Sequence, residues 1–297
     1  RDAVELDGSG QAGRDDRDLR LRVPLAARPL WTHPAFNWGY ASEPEPHADN
    51  RRIAIPRGKI VGGSSSINGM LYARGHPRDF DQWRQTGCTG WGYDDVLAVY
   101  KRLECDWRGE GPYHGGAGPI RIARASNNAA LVAPLQEAAR RAGFPSSDDH
   151  NGSEPEGYGA PDLNIARGRR AGAASVFLRP ARTRANLRVE THAHATRIVI
   201  ERGRAVALDY VQDGILKRAA AARDIILAGG VYNSPQLLML SGIGPADELA
   251  AAGIAPVHEL PGVGRNLQDH ASVGVDVALA KPVGFERELR LDRLMLT

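Results

Sequence analysis

Two short stretches hold the residues whose types and spacing could do chemistry. In RGKIVGGSSSINGMLYARG, residues 57–75, Gly62, Gly63, Ser64, Ser65 and Ser66 stand between a basic lead-in and the apolar Ile67, Met70, Leu71 and Tyr72. Small residues let a ligand approach the main chain, and hydroxyls together with exposed N–H groups can satisfy phosphate oxygens. A pyrophosphate would fit such a loop. A flexible Gly/Ser linker has the same composition, although linkers are usually bordered by polar residues. In the second stretch, LAGGVYNSPQLLMLSGIGP from Leu227 to Pro245, a strand-like run meets a glycine turn and a helix start. That geometry aims free backbone N–H groups at one point, yet by itself it equally describes glycines that let helix and strand pack closely.

Other chemistry-bearing residues are scattered. His192 and His194 sit two apart on an expected strand and so share a face, but no third ligand lies nearby, which favours surface or core histidines over a metal pair. Asp148 and Asp149 fall in a Ser/Asp/Asn loop and read as a solvated turn. Cys88 and Cys105 form neither a metal motif nor a disulfide framework. There is no Gly-x-Ser-x-Gly elbow and no carboxylate pair to single out for acid–base work.

The elements that must position these residues follow from periodicity. The first thirty residues read as loop and connector with a frayed start, and residues 31–56, with Pro34, Pro44, Pro46 and Pro56, as a winding surface segment. YDDVLAVYKRLE predicts a helix over residues 93–104, with Val96, Val99, Tyr100 and Leu103 on one face. NNAALVAPLQEAARRAG predicts another that kinks or starts at Pro134 and closes on Gly143. From Asn186 the period shortens: NLRVETHAHATRIVIE and RAVALDYVQ alternate across an ERGR turn, and RDIILAGG follows as a third, buried strand. Ser234 then caps a helix with Pro235 in its first position, ended by Gly242 and Pro245.

Composition bounds the class. With 297 residues and 42% hydrophobic content, the chain can bury one large core or two smaller ones. Thirty-eight basic against 35 acidic residues leave a net +3, and the arginines are dispersed rather than blocked, which argues against nucleic acid. No apolar run approaches the roughly 18 residues of a membrane span. RDAVELDGSGQAGRDDRD is the reverse of a signal peptide. The compartment stays open, with a cytoplasmic place as the first expectation and peripheral membrane association as the alternative. Residue types alone reach an α/β protein with two glycine-rich helix entrances and do not reach a reaction.

Together the two stretches resemble the two signatures of the glucose-methanol-choline flavoprotein oxidoreductases. Supporting pieces occur in the family's order: NWGYASEPEP, DFDQW, YHGGAGP at 113–119, GRR at 168–170, NLRVETHAHATRI at 186–198 and PGVGRNLQDH at 261–270. The resemblance, nearest to choline-dehydrogenase-like and alcohol-dehydrogenase-like members, implies a Rossmann-like FAD-binding domain with an inserted β-meander and the start of a substrate-binding domain. It implies segments 1–75, 76–180, 181–272 and 273–297: FAD-binding domain, cap, return to the FAD-binding domain, and substrate-binding domain. It further implies a non-dissociating FAD lined by Ile60, Gly62, Gly63, Ser64 and Ser65, with Asn68, Gly69, Met70 and Leu71 at the flavin. Ala195 takes the place of the family's usual valine at the adenine end, and Ala228 and Gly229 approach the cofactor. Some relatives attach FAD covalently through a histidine just before that asparagine. Here the position is Ile67, so non-covalent FAD is expected.

The departures are equally informative. The family's opening Gly-x-Gly-x-x-Gly βαβ unit is not in the sequence, and neither His258 nor His270 matches the motif of its C-terminal catalytic histidine. No catalytic residue is nominated: the chain is expected to be truncated at both ends and inactive by itself. The intact protein would oxidise a primary alcohol by hydride transfer to flavin N5 and pass electrons to an acceptor. A hydroxynitrile-lyase-like member or a non-enzymatic fragment is the alternative. Val231 and Gly172, where alanine and serine are usual, bear only on local packing.

Overall fold

The structure, a computed structural model, describes residues 3–6, 13–125 and 132–270, together with positions 274 and 278. The chain forms two compact units: Arg1–Gly69 with Gly172–Ala271, and Met70–Ala171 with Ser272–Thr297.

The first unit is built on an antiparallel meander of Ala193–Glu201, Arg204–Gln212 and Ile215–Ala220. Both turns use positive φ at their two central residues, Arg202 and Gly203, then Asp213 and Gly214. Tight hairpins between right-twisted strands require that geometry. The Asp-Gly pair marks the third strand, so the third strand is ILKRAA and not RDIILAGG. The latter run has no ladder partner among the described residues, yet it is still sorted by side: Ile225 and Leu227 pack on the cluster of Ile198, Leu208 and Leu237, while Ile226 is 84% exposed. Alternation chooses which side chains go inward; a strand needs a neighbour as well.

The helix after it runs from Gly230 to Leu240, five residues earlier than a cap at Ser234 would start it. The Ser234 hydroxyl accepts from the Gly229 N–H at 3.0 Å, so it serves the turn before the helix, and Pro235 lies inside. At the other end Ser241 Oγ donates to Leu237 O at 2.6 Å and accepts from Ile198 N at 2.8 Å, tying the helix to the first meander strand.

Three expectations for this unit change. Ala3–Leu6, read as a frayed start, forms a strand parallel to Leu187–Glu190. Residues 19–36, read as connector and surface, supply Leu21, Leu30 and Phe36 to a buried cluster completed by Ile60 and Ile67. Two short 3-10 turns and the helix Ala27–Trp31 bring them inward. His192 lies outside the strands with φ +56°, so it shares no strand face with His194.

The second unit holds helices Pro77–Gln85, Tyr93–Leu103 and Val132–Arg141 with short two-residue strand pairs. The first is capped at His76, whose side chain accepts from Arg78 N while Asp79 returns a bond to His76 N. Phe80 sits between Trp83, Tyr93 and Tyr100 and joins the first two helices. Pro134 falls in the first turn of the third helix, where its missing N–H is harmless. Residues 127–131 of that expected helix lie outside the described residues.

Candidate functional site

The 57–75 loop is shaped, not slack. Gly62 has φ +88° and Gly63 φ +54°, after which Gly63–Ser66 makes one 3-10 turn. The packing is close at two glycines: a Cβ on Gly58 would overlap the main chain at Gly63 O, and one on Gly62 would meet the side-chain atoms Ser66 Oγ at 2.6 Å and Ala174 Cβ at 2.9 Å. Gly63 differs, since a Cβ there would meet nothing within 4 Å. Its backbone borders open space, as a ligand that must approach the main chain would need.

The serines are largely committed to this shape. Ser66 Oγ donates to Val61 O at 2.9 Å, and Ser65 Oγ donates to Gly62 O at 2.6 Å while accepting from Ala173 N at 2.9 Å. Ser64, exposed, accepts from Gly58 N at 3.1 Å, which leaves its hydroxyl proton to be given outward. Of the three hydroxyls counted on for phosphate, Ser64 alone is turned to solvent; Ser65 and Ser66 hold the loop.

Beside the loop lies a cavity of about 520 Å³ lined by Gly62 and Ala173, by Ala174, Val176, Phe177 and Leu178 on a π-helical turn, and by Pro180, Ala181, Arg184 and Val189. Apart from Arg184 the named lining is small or apolar, so the guanidinium is the one fixed positive charge among these residues.

The other expected cofactor residues distribute unevenly. The Ile60 side chain is fully buried in the Leu30–Phe36 cluster, so only its main chain is offered to a ligand. Asn68 is half-buried, with its N–H on Ser64 O at 2.8 Å, and Gly69 is exposed with open space around it. Met70 and Leu71 belong to the second unit: Met70 is buried at φ +62° and Leu71 is exposed. Ala195 packs beside Ile198 in the first meander strand, where the ladder is irregular between Ala195 and Arg197. Ala228 is exposed, and Gly229 gives its N–H to Ser234. His194 lies edge-on to Trp38, and burial together with Lys59 lowers its pKa.

A second constellation, in the second unit, escaped the reading of the sequence. His114 is buried, with Nδ1 at 3.2 Å from Glu104 Oε1 and 3.4 Å from Asp106 Oδ2, and Nε2 at 2.8 Å from Asp149 Oδ2. Asp149 is therefore no solvated turn residue; Asp148, exposed and paired with Arg124, is. Arg108 bridges Asp106 at 3.2 Å and Asp162 at 2.9 Å. Burial opposes ionisation of Glu104, but His114, Arg74 and the Gly115 N–H outweigh it and hold its pKa at about 2. Burial and the neighbouring Glu104 push the Tyr72 phenol up. The donor atoms of Glu104, Asp106 and His114 lie within 4.8 Å of one another, a spacing a metal ion could use. Arg74 Nη2 already stands 2.6 Å from Glu104 Oε1, however, and the Gly115 N–H 3.0 Å from it, so the fixed cation there is a guanidinium. Glu104 precedes His114 by 10 residues and Asp149 follows it by 35, a set that matches no ligand or catalytic spacing; the one available hint was a histidine between glycines and aromatics in YHGGAGP.

Comparison with known proteins accounts for both glycine stretches at once. The family model described as GMC oxidoreductase matches residues 8–272. The chain is 48% identical over 265 residues to an oxygen-dependent choline dehydrogenase of Sinorhizobium fredii, covering 89% of this chain and 48% of that protein. It is 40% identical over 264 residues to the mitochondrial choline dehydrogenase of Mus musculus, covering 89% and 44%. Among solved structures, pyridoxine 4-oxidase from Mesorbium loti superposes with a TM-score of 0.83 at 35% identity, over 87% of this chain and 51% of that one. An FAD-dependent oxidoreductase from Chaetomium thermophilum gives 0.80 at 27% identity, over 87% and 47%. The chain thus spans about half the length of the curated relatives it matches, and its mixed helix–strand fold matches the FAD-binding part of such flavoproteins. By its family model and its relatives, the chain belongs to the GMC oxidoreductases.

Proposed function

We propose that this chain is the FAD-holding part of an oxidoreductase that converts a primary alcohol, choline or a close analogue, to the aldehyde. The observation that carries the reading is the Gly62–Gly63 corner, tightly packed on one side and bare on the other, at the edge of a cavity with one cationic side chain. Such a corner suits the diphosphate of a dinucleotide: Gly63 lets it close on the main chain, Ser64 gives a hydroxyl proton and Arg184 offsets negative charge. The chemistry FAD supplies when bound is acceptance of hydride at N5 from the substrate's carbinol carbon. Asn68 and Gly69, with Met70 and Leu71, are assigned to the flavin, Ala195 to the adenine end, and Ala228 and Gly229 to a close main-chain approach. With Ile67 buried where attachment through histidine would occur, the cofactor is held without a covalent bond. The choline preference rests on the names of the relatives, and the electron acceptor is a separate partner.

The test has three readings. The chain, dialysed after mixing with FAD, should keep flavin absorbance; acid precipitation should release that colour to the supernatant; and choline should bleach it in the whole-length protein. Loss of all colour on dialysis from both chain and whole-length protein overturns the cofactor assignment. Colour in the acid pellet overturns the non-covalent one. Retained colour with no bleaching by choline or simple primary alcohols overturns the substrate class.

A further inference from the structure

The His114 constellation lies outside the flavin reading and is not needed by it. Both ring nitrogens face carboxylates: Nδ1 faces Glu104 and Asp106, and Nε2 faces Asp149. A neutral imidazole has one N–H and one lone pair, so in either tautomer one nitrogen would turn its lone pair toward an anion. Only the imidazolium donates on both sides. The charges around it point the same way. The turn after the strand Glu104–Cys105 brings Asp106 and Arg108, the segment after Gly69 brings Tyr72 and Arg74, and the loop brings Asp149, with Asp148 at its exposed rim. The strand Asp162–Leu163 brings Asp162, and the helix Tyr93–Leu103 brings Tyr93 and Tyr100, with Arg74 5.0 Å over the Tyr100 ring. Four carboxylates, Glu104, Asp106, Asp149 and Asp162, meet two guanidiniums, and a charged His114 reduces the negative excess.

We propose that His114 is a proton-operated latch: its doubly protonated ring fastens the Asp149 loop to the Glu104 strand, and loss of one ring proton releases that loop. The loop is otherwise held by its own backbone bonds, Tyr158 N to Pro145 O and Ser147 N to Tyr158 O, by Asn151, which bonds Tyr72 O and Arg74 N, and at its exposed rim by Arg108 and Arg124, which donate to Asp148 O and Asp148 Oδ1, so the latch governs the Asp149 side of the loop. The bond to Glu104 raises the His114 pKa, burial opposes, and Asp149 adds to the rise. Since the folded value lies above the ordinary one, the latch is fully engaged below the ordinary imidazole pKa and is lost as pH climbs through the folded value.

Hydrogen exchange of the full chain, corrected for intrinsic rates, tests this at about pH 6 and about pH 9. Residues 145–158 should open on the order of tenfold more at the higher pH relative to the helix Tyr93–Leu103. Asp149→Asn should open the loop already at the lower pH, and His114→Gln should flatten the pH dependence. If His114→Gln does not fold, nitrogen NMR of wild-type His114 decides, since an imidazolium is required at about pH 6. Loop exchange that is independent of pH, or a neutral His114 at the lower pH, overturns the latch. So does zinc displacing the ring proton and protecting the loop, which would make the cluster a metal site.

Discussion

A Cβ on Gly62 collides with Ser66 Oγ and Ala174 Cβ, whereas one on Gly63, the next residue, meets open space, although both sit at positive φ. Substitution separates the two roles. Gly62→Ala should destabilise the chain by about 1–3 kcal/mol in urea titration, from strain plus overlap. Gly63→Ala should cost about 1 kcal/mol, the left-handed penalty alone, while lowering FAD retention on dialysis. An unchanged FAD affinity for Gly63→Ala would count against close approach at that residue. At this scale the sequence was half legible. The glycines announced a loop that a ligand could approach closely, but composition could not say that both sit at positive φ or that Ser65 and Ser66 spend their hydroxyl protons on Gly62 O and Val61 O. His114 was hidden for a related reason: its partners come from two separate segments, Glu104–Asp106 and the Asp149 loop, that only folding brings together.

Helices and strands carry their own lesson. The helix Tyr93–Leu103 was readable because four apolar residues repeat on one face and Asp94 and Asp95 occupy its first turn. The start of Gly230–Leu240 was misread, because Ser234 and Pro235 look like an N-terminus while the Ser234 hydroxyl is engaged with Gly229. RDIILAGG was misread because alternation reports burial and not pairing, and the Asp213–Gly214 hairpin signal upstream was passed over. The joint between that helix and the meander rests on two kinds of contact. Ser241→Ala removes a buried hydroxyl that accepts from Ile198 N and should cost about 1–3 kcal/mol. Leu237→Ala, in the cluster with Ile198 and Leu208, should cost about 2–5 kcal/mol. Urea midpoints of the two variants check both, and a Ser241→Ala protein as stable as wild type would mean another group satisfies that N–H.

For the whole molecule, pH is the informative variable. Glu104 has a folded pKa of about 2 against an ordinary 4.5, so its contribution is complete above the ordinary value and is lost as pH falls from there toward about 2. Urea midpoints should drop across that window, and Glu104→Gln should flatten the drop. The family and the fold were legible from one chain because two long motifs lie in the right order; the substrate was not, since the chain spans half the length of its relatives. One connection has wider meaning. Ser65 Oγ receives the Ala173 N–H, which sets the chain's departure and return side by side in the first unit, and the Asn164 backbone joins Met70 O to the Ala171 N–H within the second. The stretch Met70–Ala171 is thus a detour with a narrow neck, and bridging so short a gap costs little loop entropy. Cutting it out and splicing Gly69 to Gly172 through a few glycines should leave a shortened polypeptide that still folds around its meander, which circular dichroism and a cooperative melt would reveal.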